Sequence, residues 1–337
     1  MSTSLVTSTD RGLYCRAGDF HIDPWGPVDR ALITHAHGDH ARVGSAHYLC
    51  AEPGRNVLRA RLGEKAVIDA LPYGQTVEHN GVKVSFHPAG HVLGSAQIRL
   101  DHRGDVWVVT GDFKLDRDPT CEPFEPLRCR ALLTESTFGL PVYRWSAPAD
   151  VFAEINSWWR ANRDAGKASL LYGYSLGKSQ RLLTGLDPEI GPIYLHGAVE
   201  RMTAEYRTAG VALPPTQYVG AVPPKTKWAG AMIVAPPSAH NSAWSRKFAP
   251  SSTAIASGWM RVRGARRRRA VDRGFVLSDH VDWPGLIAAV KESGAEQVWV
   301  THGFIQPVVR LFREIGLDAH GMQTAYEGES DEPETEA

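Results

Sequence analysis

Cysteine is scarce in this chain, long apolar runs are missing, and neither sign of charge prevails. The four cysteines, Cys15, Cys50, Cys121 and Cys129, form no CxxC pair. That excludes a thiolate zinc site of the finger or ribbon type, and the four read as reduced thiols of a cytoplasmic protein rather than as a disulfide framework. No stretch approaches the roughly 18 consecutive apolar residues of a membrane-spanning helix. Residues 1–12 are polar and carry no apolar export core, so neither secretion nor membrane insertion is expected. Basic and acidic residues number 37 each, for a net charge of zero. A polyanionic partner must therefore be met by a local basic patch rather than by the field of the whole chain. Hydrophobic residues at 43% and charged residues at 22% describe an ordinary globular protein, and 337 residues exceed the roughly 100–200 of one typical domain.

Histidine, in contrast, is concentrated. The run Thr34-His35-Ala36-His37-Gly38-Asp39-His40 places three imidazoles and a carboxylate directly after the apolar segment Ala31-Leu32-Ile33. Imidazole and carboxylate bind a borderline cation such as zinc at about 2.0–2.2 Å, whereas a purely structural site would fill all four positions with Cys and His. His35 and His37, two apart on a chain leaving a strand, can reach one ion, and Asp39 and His40 can point at a second. Paired ions about 3.5–4 Å apart are a recurring device for hydrolysing phosphodiesters. The bland alternative, a His-rich surface loop, explains neither the donor set nor its position after a strand.

One grammar recurs along the chain. Phe20-His21-Ile22 ends in Asp23, Ala31-Leu32-Ile33-Thr34 in His35, and Val106-Trp107-Val108-Val109-Thr110-Gly111 in Asp112. Ala131-Leu132-Leu133-Thr134 ends in Glu135, Phe275-Val276-Leu277-Ser278 in Asp279-His280, and Val298-Trp299-Val300-Thr301 in His302. Val82-Lys83-Val84-Ser85-Phe86 alternates like a half-buried strand and leads to His91. Any one such residue is ordinarily a turn residue, but six or seven strands delivering metal-type side chains from their ends describe a sheet presenting one site.

The middle of the chain differs. Val151, Phe152, Ile155, Trp158 and Trp159 recur at helical spacing, a core stripe, and are followed by strand candidates Ser169–Tyr172, Ile193–Leu195, Met232–Val234 and Thr253–Ala256, with a helix beginning near Lys178. Alternating strands and helices predict an α/β layer of parallel strands, inserted into the first domain. Gly173-Tyr174-Ser175-Leu176-Gly177-Lys178-Ser179 resembles a P-loop but has three residues rather than four between its glycines, which argues against ATP binding. The weaker expectation is that Ser175, Lys178, the loop amides and the helix N-terminus hold a phosphate.

Taken in order, Asp23, His35-Ala36-His37-Gly38-Asp39-His40, Ala89-Gly90-His91 and Gly111-Asp112 resemble the metallo-β-lactamase fold. Thr134-Glu135-Ser136-Thr137, Gly177-Lys178-Ser179-Gln180, Ser278-Asp279-His280 and Thr301-His302-Gly303 resemble its β-CASP nuclease branch. More narrowly, the chain is similar to bacterial ligase-associated DNA exonucleases, through His91-Val92-Leu93-Gly94-Ser95-Ala96-Gln97-Ile98 and Glu135-Ser136-Thr137-Phe138-Gly139-Leu140-Pro141. The resemblance implies an α/β fold, a metallo-β-lactamase αββα sandwich with an inserted α/β β-CASP domain. The expected parts are residues 1–145 and 263–326 for the first domain, 146–262 for the insertion, and a disordered acidic tail at 327–337.

Carried over residue by residue, the resemblance assigns His35, His37 and His91 to one zinc, Asp39, His40 and His302 to the other, and Asp112 to a bridge, with manganese as an alternative metal. Asp39 and His280 then serve catalysis directly, with Glu135 orienting His280 and Asp23 fixing the ligand loop. Two cations lower the pKa of a bound water, and the resulting hydroxide attacks phosphorus. The implied function is trimming of DNA ends in DNA repair, on single-stranded or end-containing DNA, in company with an ATP-dependent DNA ligase and a helicase. An RNA-processing nuclease of the same branch is the alternative, since His302 is the residue of RNA-processing members; a small-molecule metallo-hydrolase would need neither Glu135 nor His280. Arg261, Arg266, Arg267 and Arg268, within a basic run before His280, are candidates for tracking a phosphate backbone.

Overall fold

Period-two alternation builds the part of the molecule that carries the histidines. The computed structural model describes residues 4–262 and 270–324. Six short strands, β1 (Val6–Thr9), β2 (Gly12–Cys15), β3 (Phe20–Ile22), β4 (Arg30–Leu32), β5 (His47–Ala51) and β6 (Ile68–Leu71), form a first sheet in chain order. A second sheet contains β7 (Thr76–His79), β8 (Val82–Pro88), β9 (Ala96–His102), β10 (Asp105–Val109), β11 (Ala131–Glu135), β18 (Gln297–Thr301) and β19 (Asp318–Gly321), in the order β19-β18-β11-β10-β9-β8-β7. Strands β10, β11, β18 and β19 run parallel, while β7 to β10 are antiparallel.

The two sheets share one core. Phe20, Ile22 and Leu32 of the first sheet pack with Phe86, Ile98, Trp107, Val109 and Leu133 of the second. Intervening residues on the same strands, Val108, Leu132, Val298 and Val300, face the other side. There they meet Leu286 and Val290 of α6 (Trp283–Ser293) and Val308 and Phe312 of α7 (Ile305–Glu314). Helix α1 (Arg55–Leu62) lies against β6. The sequence therefore folds as helix and sheet layers because the central strands β10, β11 and β18 are apolar on both faces, the pattern of a sheet covered on both sides. Shared register brings the carboxyl ends of β10, β11 and β18 to one edge, with Val109 beside Leu133 and Glu135 beside Thr301.

A second unit is an α/β layer by itself. Its strands, β12 (Ala168–Tyr172), β13 (Ile193–Leu195), β14 (Gln217–Tyr218), β15 (Met232–Ala235), β16 (Ser251–Ala256) and β17 (Arg273–Phe275), are all parallel, in the order β14-β13-β15-β12-β16-β17. Ile155 and Trp159 of α2 (Pro148–Asp164), Leu182 of α3 (Lys178–Gly185) and Val199 of α4 (Gly197–Thr208) fill its core. A short α5 (Ala243–Arg246) precedes β16.

By packing, the second unit spans Trp145–Asp279 and the first resumes at His280, where 146–262 and 263 were expected. The physical reason is that β17 pairs with β16 and buries Phe275 and Leu277 in the second unit's core. For the same reason the run Phe275-Val276-Leu277-Ser278 shares no sheet with the other ligand-bearing strands. Residues 263–269, with Arg266, Arg267 and Arg268, and the acidic end 327–337 lie outside the described residues. Ile98 is fully buried between the two sheets, so Ile98→Ala is expected to lower the unfolding free energy by about 2–5 kcal/mol. A urea titration giving an unchanged midpoint would remove Ile98 from the shared core.

Candidate metal centre

The opening histidine cluster is held by a carboxylate that leaves β3 rather than by its own loop. Asp23, in the left-handed region with φ 45°, accepts from the Thr34 amide at 2.8 Å and the Thr34 hydroxyl at 2.6 Å, and lies 2.7 Å from His40 Nδ1. The Thr34 hydroxyl, donating to Asp23, can accept from His35 Nδ1 at 3.1 Å. Both imidazoles are thereby turned so that Nε2 faces inward. Thr301 does the same for its neighbour, with its hydroxyl 3.2 Å from His302 Nδ1. Sequence reading quoted these threonines without assigning them a role; the signal was the repeated Thr-His at a strand end.

Three imidazole nitrogens converge. His37 Nδ1 is 3.0 Å from His35 Nε2 and 3.1 Å from His91 Nε2. Nitrogens of a tetrahedral zinc site, each about 2.0–2.1 Å from the ion, stand about 3.3–3.4 Å apart. The observed spacing is close to that, and donor atoms of His35, His37, His91 and Asp112 all lie within 4.8 Å of one another. Asp112 Oδ2 sits between this triad and the remaining groups, 3.5 Å from His35 Nε2, 3.5 Å from His40 Nε2, 3.8 Å from His91 Nε2 and 3.9 Å from His280 Nδ1.

The other proposed set is more open. His40 Nε2 is 3.6 Å from Asp39 Oδ2, and the rings of His40 and His302 stack with centroids 5.5 Å apart. Asp39, His40, His302 and Glu135 line a small cavity of about 20 Å³, room for a single water or ion. His40 Nε2 is buried there with no hydrogen-bond partner among the described residues. A buried nitrogen left without a bond costs free energy unless something binds it, so the donor set fits a cation on this side too. A separate grouping, Asp112, Glu135 and His280, also brings its donor atoms within 4.8 Å.

Burial sets the electrostatics. Desolvation holds His35 well below the usual imidazole range, reinforced by neighbouring His40, which keeps its nitrogens available as ligands. Desolvation likewise lowers His302. For His40, burial opposes the charge, yet Asp112, Asp39 and Asp23 together raise it well above the ordinary value. Asp112 is pushed upward by burial, but His40 and His280 hold it well below the usual carboxylate range.

Backbone geometry completes the edge. Gly111 has φ +56°, and a Cβ there would stand 2.7 Å from the Thr34 side chain, so only glycine lets the chain turn into Asp112. His302 adopts φ 54°, a conformation costing about 1–3 kcal/mol, and its carbonyl accepts from the Ser136 hydroxyl. Glu135 grips His280 Nδ1 with both oxygens, at 3.0 and 2.9 Å, while accepting from the Phe113 amide at 2.9 Å. The Phe113 carbonyl accepts from the Val281 amide at 2.6 Å, fixing the segment that bears His280. Both Glu135 and His280 are buried, and His280 stands over His91 with ring centroids 4.7 Å apart.

The phosphate loop of the second unit is arranged differently from its expectation. Lys178 is buried, and its ammonium is 2.8 Å from Asp279, which also pairs with Arg181 at 3.1 Å. The amides of Gly177, Lys178 and Ser179 are bonded to Gln180 Oε1, Leu176 O and Tyr174 O. Ser175 is buried. The loop closes on itself, so Lys178 and Ser175 do not form the open cradle that a phosphate needs. Arg261 is exposed.

Fold and site together define an α/β protein that gathers buried histidine and carboxylate donors into a cluster able to hold a metal ion. A Probable DNA ligase of Opitutus terrae is 34% identical over 311 residues, 91% of this chain and 30% of that protein. Cleavage and polyadenylation specificity factor subunit 3 of Dictyostelium discoideum is 33% identical over 160 residues, 42% of this chain and 19% of that protein. The chain thus spans less than a third of the length of either relative. No family model matches the chain. A crystal structure of a protein of unknown function from Enterococcus faecalis V583 superposes with a TM-score of 0.56 at 12% identity, over 89% of this chain and 80% of that one, a likeness of fold alone.

Because Asp23 orients His40 and, through Thr34, His35, Asp23→Ala is expected to weaken metal binding by about 10–100-fold. Competition with a chromophoric chelator measures this, and an unchanged affinity would remove Asp23 from the support of the ligands.

Proposed function

We propose that this chain is a metal-dependent phosphodiesterase, a DNA exonuclease of the ligase-associated kind, built as a metallo-β-lactamase αββα sandwich with an inserted β-CASP domain. The observation that carries this reading is the Glu135–His280 pair standing beside the His35, His37, His91 and Asp112 cluster. A small-molecule hydrolase has no use for a second buried imidazole fixed by its own carboxylate. Two divalent cations, zinc or manganese, held by His35, His37, His91, Asp112, Asp39, His40 and His302, would polarise the attacking water and neutralise charge on the phosphate oxygens.

The protein's own groups supply the rest. Asp23 and the threonine hydroxyls keep the ligating nitrogens aimed inward. Glu135 accepts a hydrogen bond from Nδ1–H of His280, so Nε2 is the atom that meets substrate. Held there, His280 binds the scissile phosphate or gives a proton to the departing oxygen, the step a general acid accelerates by about 10²–10⁴-fold. DNA is favoured by the relative matched over most of the chain, which is described as a DNA ligase. That same relative favours a functional link to a ligase. RNA processing is the second reading, favoured by His302 and by the similarity to a cleavage and polyadenylation factor.

Matched DNA and RNA strands, labelled at each terminus in turn and incubated with zinc-loaded or manganese-loaded protein, test both readings. Release of terminal nucleotides from DNA is expected, and RNA digested faster than DNA would replace the first reading by the second. His280→Ala and Glu135→Gln are expected to lower kcat by about 10²–10⁴-fold while metal analysis still finds two ions. Full activity in either variant, or intact strands of both kinds, would sink the proposal.

A further inference from the structure

A protein of zero net charge hides a strongly one-signed stretch. Residues 206–271 contain eleven arginines and lysines and no aspartate or glutamate. Among its described residues this stretch also carries an open cavity of about 510 Å³ within the second unit, next to the residues that lead into β15 and β16. Lys227, Lys247, Trp228 and Phe248 line it. Behind its half-buried Trp228 the rings run on into the core: Trp228 meets the fully buried Phe248 edge-on at 4.8 Å, Phe248 meets Trp244 at 4.8 Å, and Trp244 meets His196 at 4.7 Å. The Lys247 ammonium stands 5.1 Å from the ring centres of both Trp244 and Phe248. Lys227 and Lys247 are exposed, and Trp228 is half-buried.

We propose that this cavity is a subsite for single-stranded nucleic acid, taking an unpaired base against the Trp228 ring, which the buried Phe248 backs, with Lys227 and Lys247 on the flanking phosphates. The proposal rests on the nuclease reading above and adds a binding site remote in sequence from the metal ligands. The chemistry is specific to this class of ligand. Every base offers a π-face to an aromatic wall, and the backbone offers regularly spaced anions to lysines. A small apolar ligand would gain nothing from two exposed lysines, and an acidic peptide would leave the aromatic wall half used. The volume lies in the range of built ligand sites, about 300–1,000 Å³. No carboxylate lines the cavity, which removes the nearest source of repulsion to a polyanion.

The test is fluorescence anisotropy of labelled oligo(dT) and oligo(U) with the full chain in EDTA, which stops turnover, across a range of salt. Lys227→Ala/Lys247→Ala is expected to weaken binding on the order of tenfold at physiological salt and to reduce the slope of log K against log salt by about 1.4, two phosphate contacts at about 0.7 each. Trp228→Leu is expected to weaken binding with the slope unchanged. Wild-type affinity and slope in the lysine double variant would overturn the subsite, while cleavage of bis(p-nitrophenyl) phosphate by the metal-loaded protein would leave the nuclease reading standing. If the wild-type chain binds neither oligonucleotide and cleaves no phosphodiester, both fall together.

Discussion

The carboxylate of Asp112 is the group around which the first unit is arranged. Four imidazoles, His35, His40, His91 and His280, approach its Oδ2 within 3.5–3.9 Å. So many polar groups cannot be buried together unless they are paired or ligate a cation. That requirement explains the surrounding backbone: a glycine at 111 where a Cβ would strike Thr34, a strained His302, and Asp23 in a left-handed conformation. Each costs free energy locally and is tolerated because the two-sheet core holds the strand ends in register. Such strain concentrates where geometry serves chemistry.

Orientation is distributed through a small set of hydroxyls and carboxylates. Asp23 and Thr34 decide which nitrogen His35 and His40 present, Thr301 acts on His302, and Glu135 on His280. The backbone of Phe113 couples two of these decisions, since its amide binds Glu135 and its carbonyl binds Val281. A chain of this kind ties His280 in place by hydrogen bonds, as Asp23 and Thr34 tie His35 and His40, although it arrives from the far end of an insertion of more than a hundred residues. Precise placement of this kind is what hydrolysis at such a cluster of donors would require.

Much of this was legible in the residues. The clustered donors stand at strand ends, and strand ends are readable because apolar β-prone runs stop abruptly at His, Asp or Glu. Thus β3, β4, β8, β10, β11 and β18 were found within a residue or two, and the parallel strands of the second unit followed from alternation with helices. Misreadings came where a local pattern had two tertiary outcomes. Phe275 to Ser278 looks like its counterparts at Val298 to Thr301, yet its strand pairs with β16 in the other unit. Lys178 carries the chemistry of a phosphate binder, but a partner 101 residues away, Asp279, takes its charge.

By itself the sequence determined the donor set, its order along the chain and the layering of strands and helices, because each depends on side-chain type and short-range periodicity. Tertiary structure alone decided which nitrogens face inward, that Asp112 lies among four imidazoles, and that Glu135 meets His280 across 145 positions. It also decided that an acid-free stretch of chain closes into an aromatic, lysine-edged cavity. Those outcomes rest on hydrogen bonds and packing between residues far apart in sequence, for which local pattern carries no signal.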